Sequence, residues 1–438
     1  MSSVFCPALF IAAPSSGQGK TTITAAIARY HSQQGRQVRI FKMGPDYLDP
    51  QILEQASGHP VVQLDLWMAG EDYCRDQFYQ AAETADLILV EGAMGMFDGE
   101  PSSADLAATF NIPVALLMDV KGMAQTAAAL ATGLANYRYD VRVLGLIANN
   151  CASDRHRQLI ADALPAHLPL LATMSRDPEI SLPERHLGLV QASEVRDELE
   201  ECFNKAAAMI AQGALATLPA PVEFSSRELP VVAPLLLGQR IAIARDDAFS
   251  FIYAANLQML KDMGAELMYF SPLQDQQLPD ADVLWLPGGY PELHASALAE
   301  NGAMRSQIRD FYLADKVILA ECGGFMYCLE SLRDLSGNSF EMLGLLSGQA
   351  AMRDRGGCQG MQTAVLPEGD IRAHAHHRSA SNNTPDPIGC GRRQRHPAPG
   401  EEIYRSRGLT ASYLHLFFPS NPTAIATLFN SKRKPESA

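Results

Sequence analysis

Short apolar runs alternate with stretches of helical periodicity along the first part of the chain. Four of these runs are continuous enough to be strands buried on both faces: residues 38–41, 87–90, 114–118 and 143–148. Strands that alternate with helices form βαβ units, in which the strands are parallel and the helices cover the sheet. The pattern therefore predicts an α/β fold with a mostly parallel sheet and helices on both of its faces.

A proline-rich stretch over residues 218–237 interrupts this rhythm, and a new apolar run over residues 240–245 follows it. We interpret the stretch as a linker between two domains, residues 1–217 and residues 238–438. Each domain is expected to contain a mostly parallel sheet covered by helices. Residues 379–402, which are rich in Ser, Asn, Pro, Gly and Arg, are expected to form an exposed loop.

Composition and charge narrow the functional class. A chain of 438 residues is too long for a single core. The net charge of −14 argues against a surface that binds nucleic acid or an anionic membrane. Eight scattered cysteines without a C-x-x-C pair suit a reducing compartment. The first residues lack the basic region of a signal peptide, and no uncharged stretch is long enough to span a bilayer. We therefore expect a cytoplasmic enzyme.

A glycine loop follows the first predicted strand, residues 8–13. It reads P-S-S-G-Q-G-K-T-T over residues 14–22 and leads into a helical pattern. Strand, glycine loop, Lys-Thr and helix form the context of a phosphate-binding P-loop, although Pro14 occupies the position of the first glycine. Loop amides would bind phosphate oxygens, Lys20 would add a positive charge, and the Thr21 hydroxyl is a magnesium ligand in such loops.

Carboxylates follow two of the neighbouring predicted strands. Asp46 and Asp49 lie in a turn after residues 38–41, and Glu91 ends the run over residues 87–90. Asp98 lies in the loop after Glu91, where an Asp-Gly pair is also typical of a simple turn. Because parallel sheets place their ligand sites at the carboxyl ends of strands, Glu91 is the strongest magnesium candidate.

The second half contains a cysteine in a special position. The apolar run over residues 317–320 leads to Cys322, and Gly323, Gly324 and a helical pattern follow. Strand, sharp turn and helix form a nucleophile elbow, here with a thiol. The elbow places the thiol at a helix N-terminus, where the dipole is expected to favour the thiolate and the Gly323 amide can bind an oxyanion.

Two further segments complete a candidate thiol site. His415 lies in a strand-like setting near the end of the sequence and is the candidate base. Upstream, the apolar run over residues 283–286 opens into Gly288 and Gly289, and Gly289 can supply a second amide to the oxyanion. The three segments in this order resemble a class I glutamine amidotransferase of the cobyric acid synthase type.

Together with the P-loop, residues 42–50 and Glu91, these segments resemble the glutamine-dependent cobyrinate a,c-diamide synthases over nearly the whole chain. The resemblance implies a P-loop NTPase-like synthetase domain of the dethiobiotin synthetase branch, then a flavodoxin-like glutaminase domain. It implies that ATP activates two acetate carboxylates of a corrin ring as acyl phosphates, and that ammonia from glutamine displaces the phosphate. The substrates would be a tetrapyrrole polycarboxylate, ATP with Mg²⁺, and glutamine, and the protein could be a homodimer.

The resemblance also implies roles for individual residues. ATP would contact Ser16, Gly17, Gly19, Lys20, Thr21 and Thr22. The substrate or its intermediate would contact Lys42, Asp46, Tyr47, Leu48, Asp49 and Asp98. Magnesium would be held by Thr21, Asp46 and Glu91. Glutamine would be hydrolysed by Cys322 as nucleophile and His415 as base, with an oxyanion hole from Gly289 and Gly323.

Two positions depart from the family pattern, and two alternative functions stay open. Phe417 stands where related enzymes carry Glu or His, and Ala375 replaces a carboxylate in the segment 372–379. The group that orients His415 is therefore not identified. Within the class, the substrate could be hydrogenobyrinate or a nickel-sirohydrochlorin. In a different class, the chain could be a ParA-like regulatory ATPase fused to an inactive amidotransferase domain, but the intact Cys322 and His415 favour the enzyme.

Overall fold

The structure is a computed structural model, and it describes residues 2–177, 180, 195–226, 232–354 and 356–430. The chain divides into two compact units, Met1–Leu229 and Pro230–Ala438. Each unit is an α/β domain with its own sheet, as the sequence predicts. No helix in the described part of the chain is long and apolar enough to cross a membrane.

The first unit alternates strands and helices. Its strands are β1 (Ser3–Ala12), β2 (Val38–Met43), β3 (Val62–Leu64), β4 (Leu87–Glu91), β5 (Val114–Asp119), β6 (Val143–Cys151), β7 (Leu170–Ser175) and β8 (Pro221–Ser225). Its helices are α1 (Lys20–Gln33), α2 (Leu48–Ser57), α3 (Glu71–Ala82), α4 (Ser103–Thr109), α5 (Gln125–Asn136), α6 (Asp154–Ala163) and α7 (Arg196–Ile210).

The sheet of the first unit has the order β3-β2-β4-β1-β5-β6-β7, and all of these pairs are parallel. Successive residues of β1 enter different cores: Phe10 and Ala12 pack on one face, and Leu9 and Ile11 on the other. Both faces are therefore buried, which explains why β4 is apolar except for its last residue, Glu91. The predicted parallel sheet covered on both faces is confirmed.

Part of the predicted linker is a strand. β8 lies inside residues 218–237 and pairs antiparallel with the beginning of β1, from Ser3 opposite Ser225 to Pro7 opposite Pro221. The sequence pattern did not predict this strand, because prolines are typical of linkers and rare inside strands. Proline is tolerated at the start of an edge strand because its missing N–H faces no partner there.

The second unit contains more strands. They are β9 (Arg240–Ala244), β10 (Glu266–Phe270), β11 (Val283–Leu286), β12 (Val317–Glu321), β13 (Ser331–Arg333), β14 (Ser339–Glu341), β15 (Gln349–Met352), β16 (Gln359–Leu366), β17 (Gly369–His376), β18 (Ser379–Asn382), β19 (Gly389–Arg393), β20 (Pro399–Ser406), β21 (Leu409–Ser412) and β22 (Leu414–Leu416). Its helices are α8 (Ala254–Asp262), α9 (Ala295–Glu300), α10 (Gly302–Leu313), α11 (Gly323–Cys328) and α12 (Pro422–Leu428).

The main sheet of the second unit is mixed and not mostly parallel, which corrects that detail of the prediction. Its order is β10-β9-β11-β12-β21-β20-β19-β16-β17-β22. The pairs from β10 to β21 are parallel, and those from β21 to β22 are antiparallel. The chain between β15 and β22 contains no long helical pattern, so successive strands there are joined by short connections, which suit antiparallel pairs such as β16–β17, β19–β20 and β20–β21.

The exposed loop predicted over residues 379–402 is wrong. These residues form β18, β19 and the first part of β20. The strands are short and only partly buried, so their polar residues gave the composition of a loop. In antiparallel sheets one face can meet solvent, and polar strands of this kind are common there.

Candidate active sites

The P-loop connects β1 to α1, and its glycines have a steric reason. Gly17 and Gly19 have φ angles of 75° and 93°, a region that other residues rarely adopt. A Cβ on Gly19 would lie 2.5 Å from Nδ2 of Asn149 at the end of β6. The Asn149 amide also donates to the backbone oxygen of Gln18 at 2.9 Å. Asn149 therefore supports the loop from a distant strand, and no local motif pointed to it.

Lys20 connects the P-loop to the segment that contains Asp98. Its ammonium donates to the backbone oxygens of Ser15 at 3.2 Å and Met94 at 2.8 Å. Asp98 accepts a bond from the Gly95 amide at 3.1 Å, in a turn so tight that a Cβ on Gly95 would lie 2.6 Å from the backbone oxygen of Pro14. The pKa of Lys20 is lowered by burial and by the nearby Lys42 charge. A bound phosphate would bring a negative charge next to Lys20 and so raise the pKa of its ammonium again.

Lys42 lies at the centre of a group of carboxylates. Residues 42 and 91 are direct neighbours in the β2–β4 register, and Lys42 Nζ lies 2.6 Å from Glu91 Oε1. The same ammonium lies 2.6 Å from Asp49 and 3.8 Å from Asp46. Burial opposes the charge of Lys42, but the carboxylates outweigh burial and hold its pKa above the usual range. The predicted substrate residues Lys42, Asp46 and Asp49 thus lie together with Glu91.

The donors in this group suit Mg²⁺. The Thr21 hydroxyl donates to Glu91 Oε1 at 3.1 Å, so the P-loop and β4 meet here. Glu91 is fully buried, and its Oε2 has no hydrogen-bond partner among the described residues. The described residues form no cluster of three or more His, Cys, Asp or Glu arranged around a metal. Mg²⁺ does not need one, since it is usually bound by one or two carboxylates together with waters and phosphates.

Asp46 also has a structural role at the start of α2. Its Oδ1 accepts bonds from the amides of Leu48 at 3.0 Å and Asp49 at 3.2 Å. Leu48 begins α2, and the Tyr47 side chain is buried just before it. Asp46 thus fixes the helix that carries Asp49, while its Oδ2 faces Lys42. The remaining nucleotide candidates, Ser16 and Thr22, lie in the loop and in the first turn of α1.

Cys322 lies in the sharp turn between β12 and α11. Its φ and ψ angles are 45° and −100°, a strained conformation for a residue with a side chain. The two glycines after it are sterically required: a Cβ on Gly324 would lie 2.0 Å from the backbone oxygen of Leu286. A Cβ on Gly323 would lie 2.9 Å from the amide nitrogen of Gly289. The two amides proposed for the oxyanion therefore belong to segments in direct contact.

The expectation that the helix dipole favours the thiolate is not supported. Burial raises the pKa of the Cys322 thiol well above its ordinary value, and the charges of Glu292, Glu321 and Glu401 act in the same direction. A hydrogen bond from the Gly323 amide acts against them and does not outweigh them. α11 is a six-residue helix, so its dipole is small. The resting thiol is therefore protonated and requires a base.

His415 lies in β22, opposite His374 in the register with β17. It is buried, with 1% of its surface exposed. Burial, together with the nearby histidines 374, 376 and 377, holds the pKa of His415 well below its usual range. The resting imidazole is therefore neutral, which leaves one ring nitrogen without a proton. A Cβ on Gly288 would lie 2.2 Å from Cε1 of this ring, so the ring fills the space that Gly288 leaves open.

Glu321 connects the strand of the cysteine with the strand of the histidine. Its Oε1 accepts the Leu416 amide at 2.8 Å, and its Oε2 accepts the Trp285 indole N–H at 2.9 Å. Burial raises the pKa of Glu321 to about 8. Glu321 immediately precedes the nucleophile, and Leu416 immediately follows the base. Sequence reasoning missed this link, because no local pattern relates residues so far apart.

Phe417 belongs to the core. It is fully buried, and its ring packs edge-on against Tyr253 at 5.5 Å. Its amide donates to the backbone oxygen of Arg372 at 2.8 Å, which extends the contact between β17 and the end of β22. A carboxylate at this position would have to enter an apolar environment.

Comparisons with known proteins match each of the two units to a domain family. Residues 9–190 match the family model of the CobQ/CobB/MinD/ParA nucleotide binding domain, and residues 240–423 match that of the CobB/CobQ-like glutamine amidotransferase domain. The chain is 50% identical to hydrogenobyrinate a,c-diamide synthase of Stutzerimonas stutzeri over 98% of this chain and 99% of the relative. It is 49% identical to the enzyme of that name from Pseudomonas aeruginosa, with 99% of each chain covered. It is 42% identical to cobyrinate a,c-diamide synthase of Herminiimonas arsenicoxydans, with 97% of each covered.

Proposed function

The chain belongs to the family of cobyrinate and hydrogenobyrinate a,c-diamide synthases, and from that premise we propose that it amidates the a and c acetate carboxylates of a cobyrinate-type corrin ring. The reaction uses ATP to activate each carboxylate and glutamine as the nitrogen donor, as a carbon–nitrogen ligase of cobalamin biosynthesis. The observation that supports it most is the elbow thiol of Cys322, which lies in a domain that also places a neutral His415 beside the Gly288–Gly289 turn.

The second unit releases ammonia from glutamine. His415 accepts the thiol proton of Cys322 as the sulfur attacks the carboxamide carbon, and the amides of Gly289 and Gly323 hold the oxyanion. The proton passes to the leaving nitrogen, so ammonia departs and a thioester remains. Water then attacks the thioester and releases glutamate, with His415 as base. Because the resting thiol is protonated, reaction depends on this base and not on a preformed thiolate.

The first unit activates the carboxylate. Lys20 and the amides of residues 17–22 bind the phosphates, and Thr21 with Glu91 and Asp46 would hold Mg²⁺. The bound ion would draw charge from the phosphate oxygens as the phosphoryl group is transferred. The ammonium of Lys42 already contacts the carboxylates of Asp49 and Glu91. We assign Lys42, Tyr47, Leu48 and Asp98 to the surface that meets the substrate carboxylate and its acyl phosphate.

The state of the ring metal is the main open choice of substrate. The relatives named for hydrogenobyrinate are 50% and 49% identical, whereas the relative named for cobyrinate is 42% identical. Because these relatives carry its name, the cobalt-free ring, hydrogenobyrinate, is kept as the second candidate beside cobyrinate. We place the reaction in the cytoplasm, since all eight cysteines are free thiols, and we propose a homodimer that light scattering can test.

A direct assay tests the proposal. Purified protein is incubated with ATP, Mg²⁺ and glutamine together with cobyrinate, hydrogenobyrinate or a nickel-sirohydrochlorin, and products are identified by mass. We expect a diamide of one of the first two rings, with ADP, phosphate and glutamate formed in equal amounts to the new amides. Release of ADP that no tetrapyrrole stimulates, without any amide, would instead support a regulatory ATPase.

A further inference from the structure

Glu292 lies on a segment that packs against the nucleophile turn. It is the middle residue of the 3-10 turn Pro291–Leu293, which is separated from Gly289 by Tyr290 alone. A Cβ on Gly323 would lie 2.9 Å from both the Gly289 nitrogen and the Pro291 Cδ atom. The backbone that carries Glu292 is therefore held against the residue that follows Cys322.

The carboxylate of Glu292 is unusual because one of its oxygens is buried without a partner. Oε2 has no hydrogen bond among the residues that the structure describes. Burial raises the pKa of Glu292 to about 7. Its charge is also the largest electrostatic contribution to the raised pKa of the Cys322 thiol, so the carboxylate lies close enough to the nucleophile to act on its charge. A buried carboxylate without a partner is costly unless a ligand supplies one.

The other two carboxylates that act on Cys322 are already occupied. Glu321 uses both of its oxygens to accept the Leu416 and Trp285 N–H groups. Glu401 lies 3.2 Å from the His377 ring through its Oε2. Of the three, Glu292 is the one with a buried oxygen that lacks a partner in the described part of the chain.

We propose that Glu292 binds the α-ammonium group of the substrate glutamine and so selects glutamine among carboxamides. This inference rests on the proposed glutaminase function. Three carbon atoms separate the α-nitrogen of glutamine from its carboxamide carbon, so an anchored ammonium places the carboxamide within reach of a nearby thiol. An ammonium would both satisfy the Glu292 carboxylate and compensate its charge. Glu292 acts here as a specificity residue, while Cys322 and His415 perform the chemistry.

The test compares glutamine with glutaramate, which has the same carboxamide and carboxylate but no α-amino group. We expect wild-type protein to prefer glutamine by about a hundredfold in kcat/KM, since a site built for a polar group rejects an analogue that lacks it. In Glu292→Gln, kcat/KM for glutamine should fall by about a hundredfold, and that for glutaramate should stay within about threefold. Synthesis from ammonium salts should be unchanged.

Two controls keep the outcomes distinct. Glu300→Gln, at an exposed glutamate of the same unit, should leave both amide donors unaffected. The wild type should also reject α-N-acetylglutamine, which requires no variant. Equal use of glutamine and glutaramate by the wild type, or an unchanged preference in Glu292→Gln, would overturn the assignment. Equal loss of both donors would overturn it too, because Glu292 would then support the elbow itself. Activity from ammonium salts in these cases would leave the proposed synthase function intact.

Discussion

Replacing Gly288 by alanine should displace the base of the glutaminase site. The added Cβ would lie 2.2 Å from Cε1, 2.9 Å from Nδ1 and 3.3 Å from Nε2 of His415. Gly288 does not have a positive φ angle, so alanine introduces no backbone strain of its own. The perturbation is therefore a steric contact between one methyl group and one imidazole.

Hydrogen bonds hold the backbone at Gly288 in place, so the His415 ring is the part that must move. The Gly288 oxygen accepts the Phe251 amide at 3.0 Å, and the Pro287 oxygen accepts the Gly324 amide at 3.0 Å. Carbon atoms in contact are roughly 3.5 Å apart, so the ring must shift by about 1.3 Å. A misplacement of about 1 Å in a catalytic group can reduce the rate about a hundredfold. Overpacking should also lower the free energy of unfolding by about 1–3 kcal/mol.

The assay measures diamide formation with glutamine and with ammonium salts on the same preparation. Gly288→Ala should lose about a hundredfold with glutamine and stay within about twofold with ammonium, because the synthetase site lies in the other unit. Gly302→Ala is the matched control, since no atom lies within 4 Å of its added Cβ. Undiminished glutamine use by Gly288→Ala would refute the placement of His415 as base. Equal loss with both nitrogen sources would show that the substitution disrupts the fold instead.

Three further predictions concern other residues. Cys322→Ser should abolish glutamine use but retain synthesis from ammonium salts; loss of both activities would make Cys322 structural. Lys20→Ala should remove ATP-dependent amidation, with a loss on the order of several kcal/mol in transition-state stabilisation, while basal glutamine hydrolysis continues; amidation near the wild-type rate would contradict the P-loop assignment. Glu321 has a folded-state pKa of about 8 against an ordinary value of 4.5, so the folded state keeps a proton that the unfolded state releases as pH rises between these values. Its contribution to the free energy of unfolding therefore falls over that window. Urea unfolding across the window should show a smaller decline with pH in Glu321→Gln, and an unchanged decline would count against the raised pKa.

Local patterns in the sequence predicted the parts of the sites that are themselves local. The Gly-Lys-Thr-Thr run and the Cys-Gly-Gly run each contain a functional side chain and the glycines of its turn within a few residues. These glycines let neighbouring segments approach the backbone closely. The parallel first sheet was predictable for a similar reason, since its strands are buried on both faces and therefore continuously apolar.

Features that depend on distant contacts could not be predicted in this way. Asn149 reaches the P-loop from β6, and Glu321 meets the residue after His415 across the sheet. Burial, which depends on the whole domain, reversed the expected pKa shift of Cys322. The antiparallel strands between residues 379 and 402 were missed because half-exposed strands carry the same residue types as loops.

Glu321 accepts two hydrogen bonds, and this has a consequence for which insertions and deletions the second unit can tolerate. The strand of the nucleophile, the strand of Trp285 and the strand of the base are joined by one side chain adjacent to Cys322. The strand of the base also pairs with β17, which belongs to the stretch between residues 329 and 408, so that part of the stretch is tied to the site. The small sheet of β13, β14, β15 and β18 is not part of the main sheet. Insertions and deletions there can change the surface of the domain while Glu321 and β17 keep the strands of the thiol and the imidazole in place.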